Sequence, residues 1–316
     1  MDGYPVLLNP EGTSRPIAFG SAGIICQVSC YHGEVVKAPL KHNVKGCSED
    51  VIKSVQNEEY FSELCISREK LIYESLPKDL NILDCVAITE RGLHFPYMRL
   101  GNLRDYLQSR NNQLDSHIRD QWIINATSAV AIVHCHDVVH ADISARNFLV
   151  ADDLSIKLCD FSGSGIGELE PFVEEEDRYR MSPYSARSTK TDIFALGCLI
   201  FEISTGLRPY DEIDDAHYEE IENRYAAQVF PCLNGLRYQN IIHKCWTSQY
   251  ASVDQLIQDI SCCIEEGNAG EDESGVEIGL GHRLIRVPSS FFMLPTLALF
   301  TVSTAILWLY RKQSRR

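Results

Sequence analysis

Three shortages narrow the reading of this 316-residue chain before any motif is considered. The first is of regular cysteine spacing. Its 12 cysteines form no C-x-x-C pair, and the tightest spacings are Cys26/Cys30 and the adjacent Cys262/Cys263. Such spacing supports neither a zinc framework nor a disulfide scaffold, so the thiols are expected to act as small buried hydrophobes in a reducing compartment. The second is of a leader. The opening MDGYPVLLNPEG has no basic stretch followed by an apolar core, and no signal peptide is expected there. The third is of positive charge. Lys and Arg number 29 against 44 Asp and Glu, a formal net charge of -15. Every acidic residue precedes Gly281, whereas Arg283, Arg286, Arg311, Lys312, Arg315 and Arg316 follow it. A body this acidic repels phosphate backbones, which excludes nucleic acid as a general partner. His134, His136 and His140 lie close together, but with no second ligand cluster they are not read as a metal site.

What is present is an ordinary globular composition, 45% apolar and 23% charged. Residues 1–14 read as a lead-in, and patterning is continuous from 15 to 265. Short strands are expected over 17–40 and 82–98, and strand-like runs over 146–161. A helix is expected over 59–76, with Ile66, Tyr73 and Leu76 on one face and Pro77 as its stop. Further helices are expected over 102–110, 116–136 and 192–205. The last is apolar nearly all round, which marks a buried central helix with Gly206 as its C-terminal stop. Strands first and helices second give an α+β protein of two lobes.

Residues 266–281 hold five glycines among acidic residues and read, with the basic pre-anchor up to 288, as a linker. Residues 287–310 then carry no charge for 24 positions. The 22 from Ser289 to Tyr310 span about 33 Å as a helix, enough for a bilayer core. Phe291 and Phe292 stand near one end, Trp308 and Tyr310 near the other, and the basic residues 311–316 follow. A C-terminal transmembrane helix over 289–310, tail-anchored with the folded part facing the cytosol, is the expectation. The membrane would be the mitochondrial outer membrane or the endoplasmic reticulum.

The residues suited to chemistry come in order. Ala18-Phe-Gly20-Ser-Ala-Gly23-Ile-Ile25 fits a strand–turn–strand glycine pattern, where a bare backbone can approach phosphate oxygens. Lys37 follows on the apolar strand Val35-Val36-Lys37. Next come His140-Ala-Asp142-Ile-Ser-Ala-Arg146-Asn147 and, 13 residues on, Asp160-Phe161-Ser162-Gly163. Two carboxylates and an amide on short strands can position a hydroxyl nucleophile and metal-bound phosphates. Asp192-Ile-Phe-Ala-Leu-Gly197 opens the apolar helix.

This order resembles the signature set of the eukaryotic protein kinases, from about Arg15 to Glu265, and within it the compact kinase-like proteins of filamentous fungi. The resemblance implies a two-lobed kinase fold and ATP with Mg²⁺ as cofactors. It implies a glycine loop at Ala18, Gly20, Gly23 and Ile25, and Lys37 on the α/β-phosphates. Glu69 would pair with Lys37, with Glu63 as the alternative. Met98 would contact adenine through its N–H, after Phe95-Pro96-Tyr97. Asp142 would accept the substrate hydroxyl proton, with Arg146 beside it in the catalytic loop, and Asn147 and Asp160 would hold Mg²⁺. His243-Lys-Cys-Trp246 resembles the Cys-Trp near the end of such domains.

Departures accompany the match. Ala141 replaces the Arg of H-R-D, which removes a receptor for activation-loop phosphate. Ser162 replaces the Gly of D-F-G. Tyr184 replaces the Glu of A-P-E, and residues 247–255 hold no Arg to partner such a Glu. Ser144-Ala-Arg146-Asn147 looks closer to the A-A-R-N of tyrosine kinases, without deciding the acceptor residue. The run Glu168 to Asp177 holds six acids in ten residues. It reads first as a solvated loop. The sharper reading is that its charge favours a basic protein substrate or partly replaces phosphorylation. The sequence therefore supports an ATP-dependent protein kinase, with a membrane-tethered ATP-binding pseudokinase scaffold as the rival.

Overall fold

The computed structural model describes residues 3–29 and 33–272. Residues 3–264 belong to one compact unit; the second unit begins at Glu265 and is described as far as Asp272. The small lobe is built on a five-stranded antiparallel sheet. Short β1 (Val6–Leu7) pairs with β5 (His42–Asn43) beside it. The main sheet has β2 (Thr13–Gly20), β3 (Gly23–Val28), β4 (Glu34–Ala38), β6 (Ala87–Thr89) and β7 (Gly92–Pro96), in the order β2-β3-β4-β7-β6. The β-branched stretches Gly-Ile-Ile and Val-Val-Lys lie side by side, with Ile25 opposite Lys37.

Helix α1 (Glu49–Ser75) crosses this sheet. It starts ten residues before the expected 59. Its first turns, Glu-Asp-Val-Ile-Lys-Ser, carry little apolar patterning, and Val55 is the one buried residue ahead of Ser62. Acidic Glu49 and Asp50 suit the helix start instead. The expected strand run over 82–98 is shorter in fact, because Ile82 and Leu83 leave the sheet and run beside Leu158.

The large lobe is mainly helical. Helix α2 (Leu103–Arg110) starts on Asn102, whose side chain accepts from Asp105 N–H at 3.0 Å. Helix α3 (Ser116–Cys135) starts on Asp115, which accepts from Ile118 N–H at 2.8 Å. After β8 (Val138–Val139), the expected 146–161 run resolves into a 3₁₀ turn at Ala145–Asn147 and a hairpin of β9 (Phe148–Val150) and β10 (Ile156–Leu158). Strand β11 (Gly165–Ile166) pairs back with β8.

Helix α4 (Thr189–Thr205) is buried without a break from Thr191 to Ile203, as its all-round apolarity requires. Gly206 closes it at φ 77° and donates its N–H to Glu202 O at 2.8 Å. Helices α5 (Tyr218–Ala226) and α6 (Gln239–Trp246) and the part of α7 (Val253–Asp272) up to Ile264 complete the lobe. One large apolar cluster fills this lobe and two smaller ones lie under the sheet.

Helix α7 runs past 266, where the linker was expected to begin. The expected span 289–310 and the tail 311–316 lie outside the described residues. Among the described residues no helix is long and apolar enough to cross a membrane.

Candidate active site

The glycine turn and the lysine come from the first three strands of the main sheet. Gly20 and Gly23 face each other across the two-residue turn Ser21-Ala22, and Ala18 pairs with Ile25. At Gly23, φ is 155°, and an added Cβ would sit 2.5 Å from Ala38 O, so no side chain fits there.

Lys37 points from β4 into the space under this hairpin. Its Nζ lies 2.6 Å from Glu69 Oε2 and 2.7 Å from Asp160 Oδ1. Lys37 and Glu69 are both buried. Of the two acids weighed on α1, Glu69 therefore reaches Lys37, while Glu63 pairs with Lys41 at the surface. Burial opposes the charge on Lys37, but Asp160 and Glu69 outweigh it and hold its pKa above the ordinary lysine value. Burial raises Glu69, with Lys37 in opposition.

The loop 140–147 hangs from a buried carboxylate. Asp192, fully buried in the first turn of α4, accepts from His140 N–H at 2.8 Å and Ala141 N–H at 2.9 Å. It also pairs with His134 Nε2 at 2.9 Å. These bonds fix Ala141 at φ 63°, a left-handed conformation uncommon for a residue with a side chain. His140 Nδ1 accepts from Asp142 N–H at 3.3 Å and its Nε2 meets Cys159 O at 3.1 Å. That pattern requires the Nε2–H tautomer, and burial accordingly lowers the His140 pKa.

Asp142 and Asn147 then face the same space. Asn147 Nδ2 donates to Asp142 O at 2.7 Å and to Asp142 Oδ2 at 2.9 Å. Burial, reinforced by the charges of Glu176 and Asp160, lifts the Asp142 pKa well above the usual carboxylate range despite the Asn147 bond. A raised carboxylate is a better proton acceptor than an ordinary one.

Asp160 follows β10 at φ 66°. Burial works against its charge, yet Lys37 and the Ser162 hydroxyl hold it below the usual range. Phe161 N–H donates to Glu69 Oε1 at 3.2 Å. The Phe161 ring packs 5.2 Å from both Tyr73 and His140, which joins α1 to the loop of Asp142. The site thus brings together Lys37, Glu69, Asp142, Asn147 and Asp160 from four separate segments: β4, α1, the loop 140–147 and the turn after β10. Asp160 and Asn147 offer the hard oxygens that suit Mg²⁺ shared with phosphates. No cluster of three His, Cys, Asp or Glu side chains forms a metal site among the described residues. His134, His136 and His140 are engaged elsewhere, with Asp192, Ile132 O and Cys159 O.

The family described as protein tyrosine and serine/threonine kinase matches residues 28–256. The chain belongs to the protein kinase family. The match begins after the glycine turn, so Ala18, Gly20, Gly23 and Ile25 stand on the hairpin geometry alone. The kinase domain is 26% identical to the Abl transforming protein of Abelson murine leukemia virus over 271 residues, 80% of this chain and 34% of that one. It is 26% identical to the tyrosine-protein kinase Drl of Drosophila melanogaster over 245 residues, 70% of this chain and 39% of Drl. It is also 24% identical to the dual specificity protein kinase shkC of Dictyostelium discoideum over 185 residues, 52% of this chain and 34% of shkC. The chain therefore spans between about a third and two fifths of these relatives' length.

Beyond these groups, the kinase domain holds an ion-pair network that was not expected from the sequence. The acidic run is a solvated loop only at Glu168 and Glu170, which are exposed. Glu174 lies 2.8 Å from Arg180 Nη1, and Glu175 lies buried 2.9 Å from Arg187 Nε. Glu176 bonds Arg104 Nη1 at 2.7 Å and stands 3.4 Å from Arg146 Nε. Arg180 also engages Asp177, and Glu222 at 2.6 Å. Arg104 bonds buried Glu202 at 2.9 Å, and the Tyr179 hydroxyl donates to the same carboxylate. The block of four acids Glu174 to Asp177, followed by Arg178, Arg180 and Arg187, was the available signal. The other half of the network, Arg104 and Glu202, stands 70 or more residues from it in sequence or inside α4.

Arg68 of α1 completes the clamp. It donates to the backbone of Ser164 and, at 3.0 Å, of Glu170, and lies 4.7 Å over the Phe172 ring. Tyr184, at the position of the missing A-P-E glutamate, is 95% exposed and joins none of these ion pairs.

Proposed function

We propose that this protein is an ATP- and Mg²⁺-dependent kinase that transfers the γ-phosphoryl group to a protein hydroxyl. One observation carries the reading: Lys37, Glu69 and Asp160 form a bonded trio beside the bonded pair Asp142–Asn147. Loaded, such a site supplies a phosphoryl donor whose charge is spread over metal and lysine. This chain's own groups have distinct tasks in that reading. The backbone from Ala18 to Ile25, open at Gly20 and Gly23, covers the phosphates. Lys37, held by Glu69, binds the α/β-phosphates. The Met98 N–H meets the adenine edge just after β7. Asn147 and Asp160 would hold Mg²⁺. Asp142, with its raised pKa, takes the proton of the substrate hydroxyl. Arg146, through Glu176, ties that loop to the acidic segment. A preference for basic protein substrates would rest on exposed Glu168 and Glu170, since Glu174 to Asp177 are engaged internally.

We infer further that the uncharged stretch 287–310 tethers the kinase domain to a membrane, with that domain on the cytosolic side. Its length, its flanking aromatics and the basic residues 311–316 support this.

The test is melting of the full chain with and without ATP and Mg²⁺, followed by phosphate transfer to a generic protein acceptor. ATP at 100 times its dissociation constant should stabilise by about 2.7 kcal/mol, and Asp142→Asn should retain that shift while losing transfer. Stabilisation without transfer in the wild type is the result that favours the scaffold. No stabilisation at all refutes both readings.

A further inference from the structure

We propose that Ser162 is a positioning residue for Asp160, fixing its carboxylate so that one oxygen remains uncommitted for a divalent cation. The inference rests on the phosphotransfer reading above. Three donors converge on Asp160 Oδ1: Lys37 Nζ at 2.7 Å, Ser162 Oγ at 2.6 Å and Ser162 N–H at 3.4 Å. Among the described residues no donor meets Oδ2. A carboxylate oxygen has two lone pairs, so Oδ1 is fully used while Oδ2 keeps both of its own.

The arrangement answers a need of the backbone. Asp160 sits at φ 66°, a conformation that a residue with a side chain holds only when its surroundings fix it. Ser162 is not among the residues with positive φ, so the conformational freedom of glycine is not required at this position and a side chain is accommodated. That side chain is buried, where a hydroxyl without an acceptor is costly. Asp160 is the acceptor it finds.

Ser162 also differs from Lys37 in having one task. The lysine is assigned to phosphates as well as to Glu69 and Asp160, and an entering nucleotide competes for its ammonium. The Ser162 bond faces no such competition. It keeps Oδ1 occupied, and so keeps the side-chain rotamer of Asp160, when the lysine is shared. A residue that only filled space here would affect melting without affecting the cation.

The experiment titrates Mg²⁺ into the full chain in the presence of a non-hydrolysable ATP analogue and follows melting, for wild type, Ser162→Ala, Ser162→Thr and Asp160→Asn. Ser162→Ala should raise the half-saturating Mg²⁺ concentration about tenfold. It should leave the shift produced by the analogue without Mg²⁺ unchanged. Ser162→Thr, which keeps the hydroxyl, should titrate as wild type. Asp160→Asn should abolish the Mg²⁺-dependent part. If Ser162→Ala titrates as wild type while Asp160→Asn does not respond, the role given to Ser162 is wrong and the phosphotransfer reading stands. If wild type itself shows no Mg²⁺-dependent shift, the metal assignment falls and Ser162 falls with it.

Discussion

Single residues in this protein are read best through the charge they are given. Lys37 has two carboxylates within 2.7 Å, and Glu69 is the one with no other duty toward ligands. Glu69→Gln should therefore leave the fold intact and cut kcat/KM for phosphate transfer by about 10²-fold, the scale of losing one electrostatic contact. Steady-state kinetics with an unchanged kcat/KM would remove Glu69 from the site. Glu175 offers a different test. Burial pushes its pKa up from 4.5 to about 7, against the pull of Arg187. The folded state then holds that proton more tightly than the unfolded chain, so this group's contribution to stability falls as pH rises from 4.5 to 7. Glu175→Gln should gain on wild type across that window. Melting curves at pH 5 and pH 8 should show the difference in Tm moving in favour of the variant, and a constant difference would refute the assignment.

Elements matter where two of them meet without room to spare. Helices α4 and α6 touch at Gly197, where an added Cβ would lie 2.5 Å from Cys245 Cβ and 3.2 Å from the Trp246 ring. Gly197→Ala should cost about 1–3 kcal/mol, measurable by denaturant unfolding, although alanine is the better helix former. The segment from Phe161 to Arg187 is held differently, by charge. Glu174, Glu176 and Asp177 serve Arg104, Arg146 and Arg180. These are charge-assisted contacts of the kind a phosphate would make, and Ala141 leaves no guanidinium in the catalytic loop's H-x-D to receive one. Phosphatase treatment should thus leave turnover within error, and a large drop would mean that another basic group receives a phosphate. Arg104→Met strands buried Glu202 and should cost about 3–5 kcal/mol. A loss under 1 kcal/mol would show that Tyr179 alone can satisfy Glu202.

At the scale of the whole molecule, the question is how a catalytic domain this acidic is placed. The apolar stretch 289–310 can satisfy its own backbone hydrogen bonds in lipid only as a helix. Leu299→Arg sets a charge near its middle, at a cost of about 2.5–3.5 kcal/mol on insertion scales. Carbonate extraction of the full chain, of residues 1–281 and of this variant should separate them. The full chain should stay with membranes, the truncation should leave, and the variant should be weakened. Protease added to sealed membranes should digest the kinase domain. A full chain that extracts as readily as the truncation ends the tether proposal.

The sequence by itself determined the order of the main elements and the two lobes, while Lys37, Glu69 and Asp160 were singled out through the family resemblance and their mutual contact came from the structure. The order and the lobes rest on local chemistry: β-branched runs and an all-apolar helix closed by Gly206. Glu69 was preferred to Glu63 only through the resemblance, and the structure decided it by pairing Glu69 with Lys37 and Glu63 with Lys41. The start of α1 was not legible, because its first turns offer periodicity only the sparse face of Val51, Ile52 and Val55. Tertiary structure alone decided three further things. It drew Glu174 to Asp177 out of solvent and onto arginines from α2, the loop of Asp142 and Arg180 to Arg187. It placed Tyr179 and Arg104 on one buried carboxylate. And it turned Ser162, in sequence only a missing glycine, into a donor 2.6 Å from Asp160. The reason is common to all three. A charge or hydroxyl carries no sign in sequence of which partner it will meet, because partners come from distant segments and are chosen by how the elements pack.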